Sequence, residues 1–121
     1  MRQKKTLVIG ASTNPARYSN KAIHKLRAHG YEVIALAKRE GQVANVSFRT
    51  EFPADEEIDT VTLYVGPARQ TEFVHPLIDL KPRRVIFNPG TENQELKKKL
   101  DASGVETVED CTLVMLGTGK F

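Results

Sequence analysis

One cysteine, Cys111, occurs in 121 residues, and tryptophan is absent. A lone thiol excludes an intramolecular disulfide and a cysteine-based zinc cage. Aromatic residues make up 7% of the chain, and none sits among the basic runs Arg2-Gln3-Lys4-Lys5, Lys38-Arg39, Arg83-Arg84 and Lys97-Lys98-Lys99. Nucleic-acid readers combine a basic face with stacking platforms, so nucleic acid is not an expected partner. Excess charge of one sign is lacking too: 18 Lys+Arg against 15 Asp+Glu leave a formal net charge of +3. No apolar run approaches the ~18 residues that cross a bilayer. The opening Met1-Arg2-Gln3-Lys4-Lys5 runs into a strand-like segment without a secretory hydrophobic region. These absences lead to the expectation of a cytoplasmic chain with no membrane partner.

What is present is 40% hydrophobic and 27% charged, the ordinary mixture of a folded globule. The length is near the commonest size of one domain, so residues 1–121 are expected to form a single domain. Four aliphatic or β-branched runs recur: Thr6 to Ile9, Glu32 to Leu36, Val61 to Val65 and Arg84 to Phe87. Each is continuous rather than alternating, the pattern of strands covered on both faces of a parallel sheet. A fifth run, Val105 to Glu109, alternates and reads as an edge strand.

Helical patterns lie between the runs. Asn20 to His29 places Ala22, Ile23 and Leu26 on one face, with Ser19 as a candidate N-cap and Gly30 as the stop. Arg69 to Leu80 carries an apolar stripe that Pro76 should kink or divide into shorter pieces. Thr91-Glu92-Asn93-Gln94 has the spacing of a capping box, ahead of a helix with Leu96 and Leu100. Gly41 to Glu57 reads as irregular, with one short strand through Val43, Val46 and Phe48. Strands alternating with helices imply an α/β, doubly wound sheet. In such folds a ligand binds beyond the carboxyl ends of the strands, where strand order reverses.

The loops at those ends share one character. After Ile9 come Gly10, Ala11, Ser12, Thr13 and Asn14, then Arg17 and Ser19. Gly10 permits a tight turn, the polar residues supply small donors, and the following helix offers its first amides, as in a pyrophosphate cradle. Arg17 can add a charge-assisted contact. The loop is neither a complete Gly-x-Gly-x-x-Gly fingerprint nor a P-loop. After Leu36 come Ala37, Lys38 and Arg39, where an NAD site would place an acid. Two cations suit a ribose phosphomonoester, which both NADP and coenzyme A carry. Val65-Gly66-Pro67-Ala68-Arg69 and Asn88-Pro89-Gly90-Thr91 complete the edge, with Gly66 and Gly90 allowing close approach to the backbone. Taken alone, the first loop leans slightly toward phosphate, the Lys38-Arg39 turn reads equally as a solvated basic turn, and each of the last two reads as turn chemistry. Their coincidence on one sheet edge supports a long ligand lying across it.

Gly10-Ala11-Ser12 with Asn14-Pro15, Gly30-Tyr31-Glu32-Val33, Pro89-Gly90-Thr91-Glu92-Asn93 and Asp110-Cys111 together resemble the small CoA-binding proteins. These are free-standing Rossmann-like domains similar to the N-terminal domain of the succinyl-CoA synthetase alpha subunit. The resemblance spans essentially the whole chain. It implies a Rossmann-like domain with a five-stranded, mainly parallel sheet that binds coenzyme A or an acyl-CoA. By the same resemblance Gly10, Ser12, Asn14 and Arg17 touch phosphates, Lys38 lies near the adenosine end, and Val65 and Gly66 flank the ligand. One departure is Leu36-Ala37-Lys38 where related sequences often read Val-Asn-Pro.

The histidines His24, His29 and His75 fit no catalytic pattern, and no carboxylate pair or Ser/His/Asp order marks the strand ends. The acidic segment Glu51 to Asp59 reads as a solubilising loop rather than a metal site. Cys111 is expected to open a short helix from Thr112 to Leu116, as a small buried residue more than a reactive thiol. The apolar tail Leu113 to Leu116 can seal the sheet or meet a second copy or a partner subunit. A non-catalytic CoA-binding domain is therefore the first expectation. A small NADP-dependent oxidoreductase is the alternative, and an interaction module with a vestigial nucleotide pocket is a third.

Overall fold

The computed structural model describes residues 5–121. Its central strands are β1 (Thr6–Ile9), β2 (Val33–Leu36), β5 (Thr60–Leu63) and β6 (Arg84–Phe87), in which every residue is buried. Burial on both faces explains why these runs are continuous in hydrophobicity. The strand β7 (Glu106–Glu109) ends the sheet, with Glu106 and Glu109 exposed at its limits. Charge on an edge strand discourages pairing with another chain.

The helices α1 (Tyr18–Ala28) and α4 (Thr112–Gly117) cover one face of the sheet. There Ile23, Leu26, Met115 and Leu116 pack on Val8, Ala35 and Ile86. The helices α2 (Val74–Leu80) and α3 (Gln94–Ala102) cover the other, where Leu77, Leu96 and Leu100 pack on Leu7, Ile9, Leu63 and Phe87. The expected helix from Arg69 is divided, as Pro76 foretells: two single turns, Pro67–Arg69 and Thr71–Phe73, precede α2. Pro76 falls in the first turn of α2, where a missing amide proton costs nothing.

Among the described residues the sheet has seven strands, not the expected five. The two additional strands are β3 (Gln42–Val43) and β4 (Val46–Arg49), an antiparallel hairpin in the segment read as irregular. Its turn is Ala44-Asn45, with φ of +51° and +66°. Positive φ at both central residues gives a turn whose twist matches the flanking strands. Val43, Val46 and Phe48 are indeed buried, and β4 pairs in parallel with β2 through Ala35–Phe48 and Leu36–Arg49. The β3–β4 pairing is antiparallel and the other described pairings are parallel, so the sheet is mainly parallel.

The order across the sheet is β3-β4-β2-β1-β5-β6-β7. The chain leaves β1 toward β2 and β4, then returns to the opposite side of β1 for β5, β6 and β7. Strand order therefore reverses between β1 and β5, which opens a crevice at their carboxyl ends. This arrangement is consistent with a Rossmann-like domain.

Candidate functional site

A groove of about 730 Å³ occupies that crevice. Its floor begins at Gly10, which turns the chain with φ of +96°. The amides of Gly10 and Ala11 both donate to the Leu36 carbonyl at 3.0 Å, which ties the first loop to the end of β2. Within the loop, the Asn14 amide donates to Ser12 Oγ (3.1 Å) and the Ala16 amide to Asn14 Oδ1 (2.9 Å). Asn20 Nδ2 anchors the loop from below through the Ser12 carbonyl at 2.9 Å. The loop thus holds its own shape.

The first helix starts at Tyr18, one residue before the expected cap. Arg17 occupies the N-cap position, and no side chain caps the first turn. Ser19 is buried within that turn. Arg17, Tyr18 and Ser19 all line the groove. A helix start without a capping side chain leaves amides and the positive end of the helix dipole available to an anion.

The structure brings Gly10, Ala11, Ser12, Thr13, Arg17, Ser19, Lys38, Val65, Gly66, Arg69 and Gly90 to this one groove. Asn14 lies outside its lining, with its Oδ1 accepting from the Ala16 amide. Also on the wall are Ala16, Tyr18, Ala37, Arg39, Glu40, Phe48, Tyr64, Pro89 and Thr91. Arg39 adjoins Lys38 and was legible as part of that cation pair. Phe48 arrives by way of the β3–β4 hairpin, and nothing in the local sequence signals its place.

The electrostatics of the wall are one-sided. Arg17, Lys38, Arg39 and Arg69 are exposed and line the groove, and Glu40 is the acid among them. Among the described residues, none of these cations takes part in an ion pair. Elsewhere Lys5 and Arg49 share Glu56 at 2.5 and 2.7 Å, and Arg83 meets Asp59 at 2.9 Å.

A smaller cavity of about 240 Å³ adjoins the groove and shares Gly10, Ala37, Lys38, Val65 and Arg69 with it. Ile9, Leu36, Phe52, Phe73 and Pro76 give it apolar walls. The Phe52 and Phe73 rings lie 6.4 Å apart, centroid to centroid.

The far wall is set by β5 and β6. Asn88 is buried and spends its carboxamide internally: Nδ2 donates to Thr62 Oγ1 (2.7 Å) and the Leu63 carbonyl (2.8 Å), and Oδ1 accepts from the Thr112 amide (2.9 Å). Thr91 Oγ1 donates to the Asn88 carbonyl at 2.8 Å. The expected capping box therefore does not form at Thr91. Asn93 caps α3 instead, accepting from the Leu96 amide at 3.2 Å. Tyr64 lines the groove and buries its hydroxyl, which has no hydrogen-bond partner among the described residues. The nearby Thr62 and Thr112 hydroxyls bond each other at 2.8 Å. Burial pushes the Tyr64 phenol up to about 12, so it stays protonated at neutral pH.

His24, His29 and His75 are exposed and outside the groove lining. Cys111 holds the N-cap position of α4, with its amide on Asp110 Oδ1 at 2.7 Å, and it too lies outside the lining. No cluster of three metal-ligating side chains occurs among the described residues. No helix there is long and apolar enough to cross a membrane. The site can bind an elongated anion along one rim, with an apolar recess at one end.

Solved structures share this architecture. An uncharacterized protein is 45% identical over 100% of both chains, with a TM-score of 0.95. A hypothetical protein from Pyrococcus horikoshii OT3 is 28% identical over 97% of this chain and 84% of its own, with a TM-score of 0.87. The dinucleotide-forming acetyl-coenzyme A synthetase 1 of Ca. Korarchaeum cryptofilum, in complex with phosphate and ADP, shares the fold at 13% identity. That match covers 88% of this chain but 25% of the synthetase, with a TM-score of 0.74. No curated protein matches. Residues 4–117 match the CoA binding domain family, and with nearly the whole length matched the chain belongs to that family.

Proposed function

We propose that the groove binds coenzyme A, free or acylated, and that the chain acts as a carrier, sensor or accessory domain rather than through catalysis of its own. Membership of the CoA binding domain family supports the ligand class. The observation that carries the reading is the convergence of Arg17, Lys38, Arg39 and Arg69, none of them ion-paired among the described residues, around a helix start that no side chain caps. Coenzyme A brings a matching set of charges: a diphosphate, and a ribose phosphomonoester of roughly −1.5 to −2 at neutral pH.

In this reading the diphosphate lies against Gly10 to Thr13 and the start of α1. Lys38 and Arg39 take the phosphomonoester at the end of β2. The adenine enters the recess between Leu36, Phe52 and Phe73, where flat apolar walls suit a flat ring. The pantetheine arm leaves along Gly66 and Gly90, where an added Cβ would meet nothing within 4 Å.

Thermal unfolding with coenzyme A, acetyl-CoA, NADPH and NAD in turn tests the proposal, because a ligand of the folded state raises the midpoint. A selective rise with the CoA species is expected. A larger rise with NADPH would overturn the ligand assignment, and no rise with any of them would leave the groove without a nucleotide.

A further inference from the structure

Gln70 sits between the turns Pro67–Arg69 and Thr71–Phe73 and is fully buried. Its Nε2 donates to the Val65 carbonyl (2.9 Å) and to the Thr91 carbonyl (2.7 Å). Its Oε1 accepts from Asn93 Nδ2 at 3.1 Å. One carboxamide therefore joins the loop after β5, the loop after β6 and the cap of α3.

The ladder between β5 and β6 ends with the pair Leu63–Phe87. Beyond that pair the two chains diverge into the loops that carry Gly66 and Gly90 along the groove. Asn88 ties its own loop back to the Leu63 carbonyl, at the root of the gap. Gln70 spans farther out, between Val65 and Thr91, each the immediate neighbour of one of those glycines. Burying a carboxamide costs desolvation that its bonds roughly offset, so the bonds contribute position more than stability. A leucine would fill much the same space but hold neither carbonyl.

We propose that Gln70 is a positioning residue: by holding Val65 and Thr91 at fixed separation it sets the slot between Gly66 and Gly90, and so favours nucleotides that carry an arm beyond the diphosphate. This rests on the coenzyme A reading above, in which pantetheine is that arm. Gln70 touches no ligand itself, and it acts through two carbonyls and the loops they belong to. The phosphate contacts proposed at Ser12 to Arg17 and at Lys38 sit on the loops after β1 and β2, to which the Gln70 carboxamide makes no bond, whereas Gly10 abuts Val65.

The test compares the dissociation constants of coenzyme A and of 3′-phospho-ADP, the same nucleotide without its arm, by calorimetric titration. The parent is expected to prefer coenzyme A. Gln70→Leu should weaken coenzyme A about tenfold, the scale set by one hydrogen bond, while 3′-phospho-ADP changes by less than about twofold. Asn93→Asp keeps the acceptor that caps α3 but removes the donor to Gln70 Oε1. It should shift the ratio in the same direction by a smaller factor, and it serves where the leucine variant does not fold. Equal weakening of both ligands, or an unchanged ratio in a variant that folds, would overturn the positioning role and leave coenzyme A binding intact. A parent that binds neither ligand would overturn the coenzyme A reading and this inference with it.

Discussion

A Cβ on Gly10 would stand 3.0 Å from both the carbonyl carbon and the carbonyl oxygen of Tyr64. The ends of β1 and β5 approach so closely that a Cβ there would push the Tyr64 backbone aside by a few tenths of an ångström. Gly10 also holds φ of +96°, which L side chains rarely adopt. The residue at the base of the groove is thus fixed by the fold before any ligand is considered. Gly66 differs: its φ is −67° and its Cβ would point into open space. Gly10→Ala should lower unfolding free energy by roughly 1–3 kcal/mol, whereas Gly66→Ala should stay within ~0.5 kcal/mol of the parent. Urea unfolding of the two variants checks both values, and equal costs would contradict the distinction.

The cations on the rim carry the second expectation. Arg17→Ala and Lys38→Ala should each weaken coenzyme A by on the order of tenfold or more, since a charge-assisted bond contributes about 1.5–3 kcal/mol. The loss should be larger at low ionic strength, where exposed charges are less screened. Lys38→Ala should also shrink the preference for coenzyme A over its 3′-dephospho form, and Arg17→Ala should leave that preference alone. Titrations of both ligands at two salt concentrations separate these outcomes.

Acid stability should trace to carboxylates outside the groove lining, namely Asp59, Glu56 and, through the Thr107 hydroxyl and Lys97, Asp101. Burial pushes the Asp59 carboxyl up, but Arg83, donating through Nε (2.9 Å) and Nη2 (3.1 Å), and the Thr60 hydroxyl (2.7 Å) outweigh it and hold the group below its ordinary value. Lys5 and Arg49 lower Glu56 in the same direction. A group depressed in the folded state contributes stability above its unfolded pKa, and that contribution is lost as pH falls through the folded value. Stability should therefore hold at neutral pH and fall below about pH 4, the ordinary range of these carboxyls. Arg83→Ala should flatten that acid limb. Urea midpoints between neutral and acid pH measure it, and an unaltered limb in the variant would contradict the assignment.

Much of this architecture was readable in advance, for physical reasons. The central strands announced themselves because burial on both faces demands continuous hydrophobic runs, as in Leu7-Val8-Ile9 and Val85-Ile86-Phe87. The hairpin did not, because its turn is Ala44-Asn45 rather than Asn-Gly and β3 is two residues long, too short for any periodicity. Thr91 had the spacing of a cap, yet its hydroxyl found the Asn88 carbonyl and Asn93 took the role. In the groove, glycines and basic residues were visible because they stand at strand ends. Tyr64 in the lining and Gln70 buried behind it were not: their places depend on how closely β1, β5 and β6 converge, which is a tertiary fact. Asn14 was expected on a ligand because a short polar side chain serves a loop and a phosphate equally well, and its Nδ2 donors, free among the described residues, leave that expectation open. Its carboxamide oxygen is committed to the Ala16 amide.

The most direct test of the account is calorimetric titration of coenzyme A into the parent and into Gly66→Leu, which adds bulk to the groove lining at a position where a Cβ meets no neighbour within 4 Å. The account predicts saturable binding to the parent, and severe loss in the variant with its unfolding midpoint little changed. Absence of binding to the parent, or equal affinity in the two proteins, would contradict it.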